Sequence, residues 1–120
     1  MPAIVKPGEL FVQIAGISGA LAVALGAYGA HGMKNQSPEA KHTFDTASRY
    51  HFVHTLALLG IPLTNNPNLS GSLLTLGMVL FSGTCYFSAL TGSTALNRLA
   101  PIGGMTLIAG WASMALGNLR

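Results

Sequence analysis

Polar and apolar positions along the chain do not alternate with a short period. They fall into long blocks. Charged side chains stand at Lys6, Glu9, Lys34, Glu39, Lys41, Asp45, Arg49, Arg98 and Arg120, leaving charge-free runs over 10–33, 50–97 and 99–119. A helix needs roughly 20 apolar residues to cross a hydrocarbon core about 30 Å thick. The first run has room for one span, the second for two and the third for one. The expected fold is therefore all-α, a four-helix transmembrane bundle in a single domain, with helices at about 10–31, 38–61, 69–91 and 101–117. Both termini then lie on one side of the bilayer.

Local signals place the helix ends. Tyr28-Gly29-Ala30-His31-Gly32 closes the first helix, since glycine suits a helix C-terminus. Ser37-Pro38-Glu39 reads as N-cap, first helical residue and first-turn acid of the second. Pro62 is expected to stop that helix at about Ile61. The segment Pro62–Asn68 is turn-forming, Gly92 ends the third helix, and Pro101 opens the fourth. Loops 1 and 3 with the helix 2 entrance hold Lys34, Lys41, Arg49 and Arg98, whereas the termini hold Lys6 and Arg120. That excess places loops 1 and 3 on the cytoplasmic or matrix-like face.

Composition supports the same class. Half of the 120 residues are hydrophobic and 8% are charged, against about 25% charged in soluble domains. The surplus of three positive charges forms no basic cluster, so no nucleic-acid partner is expected. Cys85 is the single cysteine and cannot form an intramolecular disulfide. The expected partners are the lipid bilayer and other membrane helices, of this chain or of a larger complex.

Small residues recur on two helices. Gly16, Ala20 and Ala24 follow one another every four residues, with Gly26 on a second such row, and Gly103, Gly110 and Gly117 every seven. Such spacing lets helix backbones approach closely in lipid. Trp111 lies mid-span and is expected to pack on another helix.

The chemically unusual stretch is Phe44–Leu59, where charge, aromatic rings and histidines run into an apolar helix. Lys41, Asp45 and Arg49 share one face at i, i+4 and i+8. Arg49 either snorkels to the interface or is held inside the bundle. With His31 at the end of the first helix, a polar cluster of His31, Asp45, Arg49, Tyr50, His51 and His54 is expected near one membrane surface. Ionisable groups at membrane depth are functional hypotheses by default. Three chemistries are open to it: a metal held by the histidines with Asp45, a haem with two histidine ligands, and a proton or solute path. The favoured reading is plainer, with His31 and His54 hydrogen-bonding across helices to fix helix 1 against helix 2. No cofactor or metal is expected. No phosphate loop, HExxH or GxSxG occurs, and Asp45 is the only aspartate, so no enzyme activity is expected.

Several stretches together resemble a known family: Tyr28–Gly32, Phe44-Asp45 with Tyr50–Leu59, Phe81-Ser82-Gly83, Leu90-Thr91-Gly92, Leu99–Gly104 and Gly110-Trp111. The chain is similar in these to the transmembrane protein 256 family, small four-helix membrane proteins of unknown function. The match touches all four helices in order. The resemblance implies a multi-pass membrane protein of this size, without assigned catalytic residues, and a mitochondrial location among eukaryotic members. The working expectation is a structural or accessory helix-bundle subunit, with a small oligomeric transporter or channel using the Asp45–His54 zone as the alternative.

Overall fold

Prolines and glycines set most of the helix boundaries in this computed structural model, which describes residues 8–116. Helix α1 spans Glu9–Gly32, α2 Pro38–Leu58, α3 Pro67–Thr91 and α4 Leu99–Ala115, with a short 3₁₀ turn at Ile61–Leu63 after α2. There is no strand among the described residues. Gly117 lies outside them.

Ser37 caps α2 by accepting the Ala40 backbone N–H at 3.1 Å, with Pro38 as first helical residue. The helix stops at Leu58, three residues before the expected Ile61. The N–H groups of Leu59 and Gly60 bond back to Leu56 and Ala57 in tighter 3₁₀ fashion, because Pro62 has no N–H with which to continue the ladder. Thr64 is buried and donates its hydroxyl to the Ile61 carbonyl at 2.6 Å. Helix α3 starts two residues earlier than expected, since Asn66 caps it through Leu69 N–H and Pro67 serves as its first residue. It ends at Gly92, whose left-handed φ of 74° lets its N–H reach the Ser88 carbonyl. Helix α4 begins at Leu99, so Pro101 sits inside its first turn rather than opening it.

The chain folds as a flattened bundle, with Cα extents of 48 × 31 × 18 Å. Helix α1 packs chiefly on α2, α2 on α3, and α3 on α4. The start of α1 also leans on the 3₁₀ turn: a Cβ on Gly8, which adopts φ 95°, would meet Pro62 Cα at 2.8 Å. Two apolar clusters stack along the long axis. One joins Phe11, Ala15, Leu58, Ile61, Leu74, Met78 and Leu107, and the other joins Met33, Phe44, Ala47, Tyr86 and Ala89.

The α3–α4 seam is the tightest. A Cβ on Gly103 would stand 2.5 Å from the Phe81 backbone nitrogen, and one on Gly110 2.8 Å from a Leu74 methyl. Gly77 answers from α3 against Leu107. Ser70 and Ser113 share a hydrogen bond of 2.7 Å across the same seam.

The small-residue row of α1 behaves differently. Gly16, Ala20 and Ala24 are exposed, and a Cβ on Gly16 would meet nothing within 4 Å. Gly26 is half-buried, with only the Phe52 ring nearby. The buried stripe of α1 is instead Phe11, Ala15, Ser18 and Ala22. The Gly16–Ala20–Ala24 row is therefore turned away from the other described helices. Alanine, glycine and serine recur on two faces of this helix, and the face carrying Phe11 and Ser18 is the one turned inward.

Candidate functional site

Between the two apolar clusters runs a belt of buried polar side chains from three helices. His51 of α2 is its centre, only 7% exposed. Its Nδ1 lies 2.9 Å from the Tyr86 hydroxyl on α3, and its Nε2 lies 2.9 Å from the Ser18 hydroxyl on α1. Ser18 and Thr55 share a hydrogen bond of 2.6 Å, and Thr55 reaches the Met78 sulfur at 3.8 Å. One proton arrangement satisfies every donor in turn: Tyr86 donates to His51 Nδ1, His51 Nε2–H to Ser18, Ser18 to Thr55, and Thr55 to Met78. Each of these pairings matters, because an unpaired polar group costs about 1–3 kcal/mol away from water; on α3 the Thr75 and Ser82 hydroxyls are buried without a hydrogen-bond partner among the described residues.

His54 lies on a different face. It is 4% exposed, and its Nδ1–H donates to the Tyr50 carbonyl one turn back at 2.7 Å. That leaves Nε2 as an acceptor, and the Trp111 indole N–H of α4 fills it at 3.0 Å. Tyr50 stacks on the imidazole with ring centres 5.9 Å apart and also touches Phe81 at 4.6 Å.

The six expected cluster residues thus do not converge. Asp45 and Arg49 form an exposed ion pair at 3.3 Å, with side chains 70% and 68% exposed. Arg49 is therefore at the surface and not held within the bundle. Tyr50 and His54 face α3 and α4, and His51 faces α1 and α3. His31 is exposed at the end of α1, apart from both buried histidines. It follows that His54 fixes α2 to α4, not helix 2 to helix 1, and that His51 performs the α1 attachment expected of His31 and His54. The physical reason is rotational: at i and i+3 the two histidines diverge by about 60° on a 3.6-residue helix, enough to meet different neighbours. Among the described residues no three His, Cys, Asp or Glu side chains converge on a point that would hold a metal ion. A metal at His51 or His54 would have to displace a hydrogen-bond partner from each ring.

Ser18, Thr55, Tyr86 and Met78 were not singled out from the sequence. Ser18 carried one usable signal, since it continues the Phe11, Ala15, Ala22 stripe that the structure buries.

Two helices, α1 and α3, are long and apolar enough to cross a membrane, and α4 is a shorter apolar helix. Only 22% of the apolar window of α1 is buried within the chain. A core helix of a soluble protein would be mostly covered, whereas α1 presents Ile17, Leu21 and Val23 outward. A family model described as a protein of unknown function, DUF423, matches residues 25–104. A UPF0382 membrane protein of Staphylococcus epidermidis is 36% identical over 118 residues, covering 93% of this chain and 97% of the relative. The chain belongs to the DUF423/UPF0382 family of membrane proteins. Other UPF0382 membrane proteins, from Schizosaccharomyces pombe (38% identical; 85% of this chain, 95% of the relative) and Haemophilus influenzae (34%; 92% and 94%), match over nearly their whole lengths. No solved structure matches. The family is small, membrane-bound and of unknown function, and it is the DUF423/UPF0382 designation, not transmembrane protein 256, that the relatives bear.

Proposed function

We propose that this DUF423/UPF0382 protein is a structural or accessory subunit that crosses the membrane four times and works through helix–helix contact rather than through catalysis. The observation that carries this reading is the outward face of α1. Gly16, Ala20 and Ala24 form an exposed strip on which a Cβ at Gly16 would meet nothing within 4 Å among the described residues, while His51 and His54 are already engaged with other side chains. Small-residue strips let a neighbouring helix approach closely. The test is native mass spectrometry of the protein extracted from its own membrane in mild detergent. Release in fixed ratio with another membrane protein is the expected result. Release as a lone monomer, unchanged by Gly16→Leu, would overturn it.

A transport reading is the second, favoured by one observation: the Tyr86–His51–Ser18–Thr55 run is a continuous line of groups that can exchange protons. Of the expected Asp45–His54 zone it keeps only His51. Proton flux into liposomes that is lost in His51→Leu while the fold survives would support it. The transmembrane protein 256 resemblance is part of the same proposal. The mitochondrial inner membrane it implied applies to eukaryotic members alone, since relatives occur in Staphylococcus and Haemophilus.

A further inference from the structure

We infer that the crevice between the end of α1 and the start of α2 seats the headgroup of an anionic phospholipid. The crevice has a volume of about 830 Å³, and Lys34, Lys41 and Asp45 meet apolar residues on its lining. Lys34 of loop 1, and Lys41 and His42 of α2, belong to its polar lining. Gly26, Met33 and Phe44 belong to its apolar lining.

Three features make this a seat rather than a basic surface. The apolar wall is fixed. Phe44 is 5% exposed and sits edge-on to Tyr86 with ring centres 5.2 Å apart, and Met33 is 4% exposed. Gly29 lets α1 come against the Phe44 ring, where a side chain would collide. The charge on the lining is net positive. The acid on the crevice, Asp45, is paired with Arg49, which leaves Lys34 and Lys41 without an acidic partner in any hydrogen bond or ion pair among the described residues. The depth is right. Helix α1 is a 24-residue apolar helix, so its last turn emerges at headgroup level. Basic pockets between membrane helices bind anionic headgroups, and acyl carbons below the phosphate would continue along the apolar wall into the bilayer. The lining combines basic and apolar residues, a combination an amphiphile requires and a free anion does not.

The experiment uses the full chain in neutral detergent, offered an equal mixture of phosphatidylglycerol and phosphatidylcholine with identical acyl chains, with bound lipid read by native mass spectrometry. Phosphatidylglycerol is expected to be retained over phosphatidylcholine. Lys34→Gln and Lys41→Gln should each cut that preference about fivefold, and Lys→Arg should restore it. Both lysines are exposed, so the fold is not at stake, and unchanged helicity by circular dichroism checks this. Arg98→Gln, which removes the same charge from loop 3, should leave the preference intact. The assignment is overturned if wild type shows no headgroup preference, if the double Gln variant keeps it, or if Arg98→Gln lowers it equally, which would make it an effect of net charge. Displacement by millimolar inorganic phosphate would overturn it in favour of a free anion.

Discussion

Ser18 on α1 and His51 on α2 stand 2.9 Å apart, and among the described residues every side-chain hydrogen bond from α1 to another helix passes through Ser18. This one hydroxyl therefore carries the polar attachment of the first helix. Ser18→Ala leaves His51 Nε2 and the Thr55 hydroxyl short of a partner in a buried place. The expected loss is about 1–2 kcal/mol of stability, read as a lowered midpoint in detergent-induced unfolding. An unshifted midpoint would mean that α1 is held by apolar packing alone.

His54 and Trp111 make a separable pair. Trp111→Phe keeps an aromatic ring on α4 but removes the N–H that His54 accepts. A double-mutant cycle with His54→Leu should return a coupling of about 0.5–1.5 kcal/mol. Because the pair shares no partner with His51, adding Ser18→Ala should be additive within about 0.5 kcal/mol. Strong non-additivity would show the two hydrogen-bond systems to be one.

Glycines of α1 and α4 should respond oppositely to the same change. Gly103→Ala drives a methyl into the Phe81 backbone and should cost about 2 kcal/mol or more, since overpacking against backbone has no cheap relief. Gly16→Ala meets open space and should leave the fold unharmed or more stable by about 0.5–1 kcal/mol through helix propensity. Thermal unfolding of the two variants in one detergent compares them directly. Equal destabilisation by both would contradict the outward orientation of the Gly16 face.

The Asp45–Arg49 pair should matter little to stability. Both side chains are mostly in contact with solvent, and exposed i, i+4 pairs contribute about 0.3–0.5 kcal/mol that salt screens away. Asp45→Asn is expected to shift the unfolding midpoint by no more than this, with the shift vanishing in high salt.

The sequence made the helices legible because their causes are local. Charge-free runs set the apolar spans, and Ser37 with Pro38 sets the start of α2 within its own few residues. What pairs with what was not legible, because a partner on another helix leaves no mark on spacing. His51 and His54 sit three residues apart, and only the rotation of α2 between its neighbours sends one ring to Ser18 and Tyr86 and the other to Trp111. Helix α1 posed the same difficulty in another form. Its small residues mark both the Ala15–Ser18–Ala22 face and the Gly16–Ala20–Ala24 face, and periodicity alone cannot say which of them is covered.

The flattened arrangement has a consequence for how the helices are joined. Each helix packs chiefly on the one just before it in the chain, so the main interfaces join neighbours in sequence. Each of these interfaces closes only a short loop, which keeps the entropic cost of association low. One bond that skips a helix, Trp111 to His54, closes a longer stretch of chain and latches α4 onto α2 across the seam that α3 occupies.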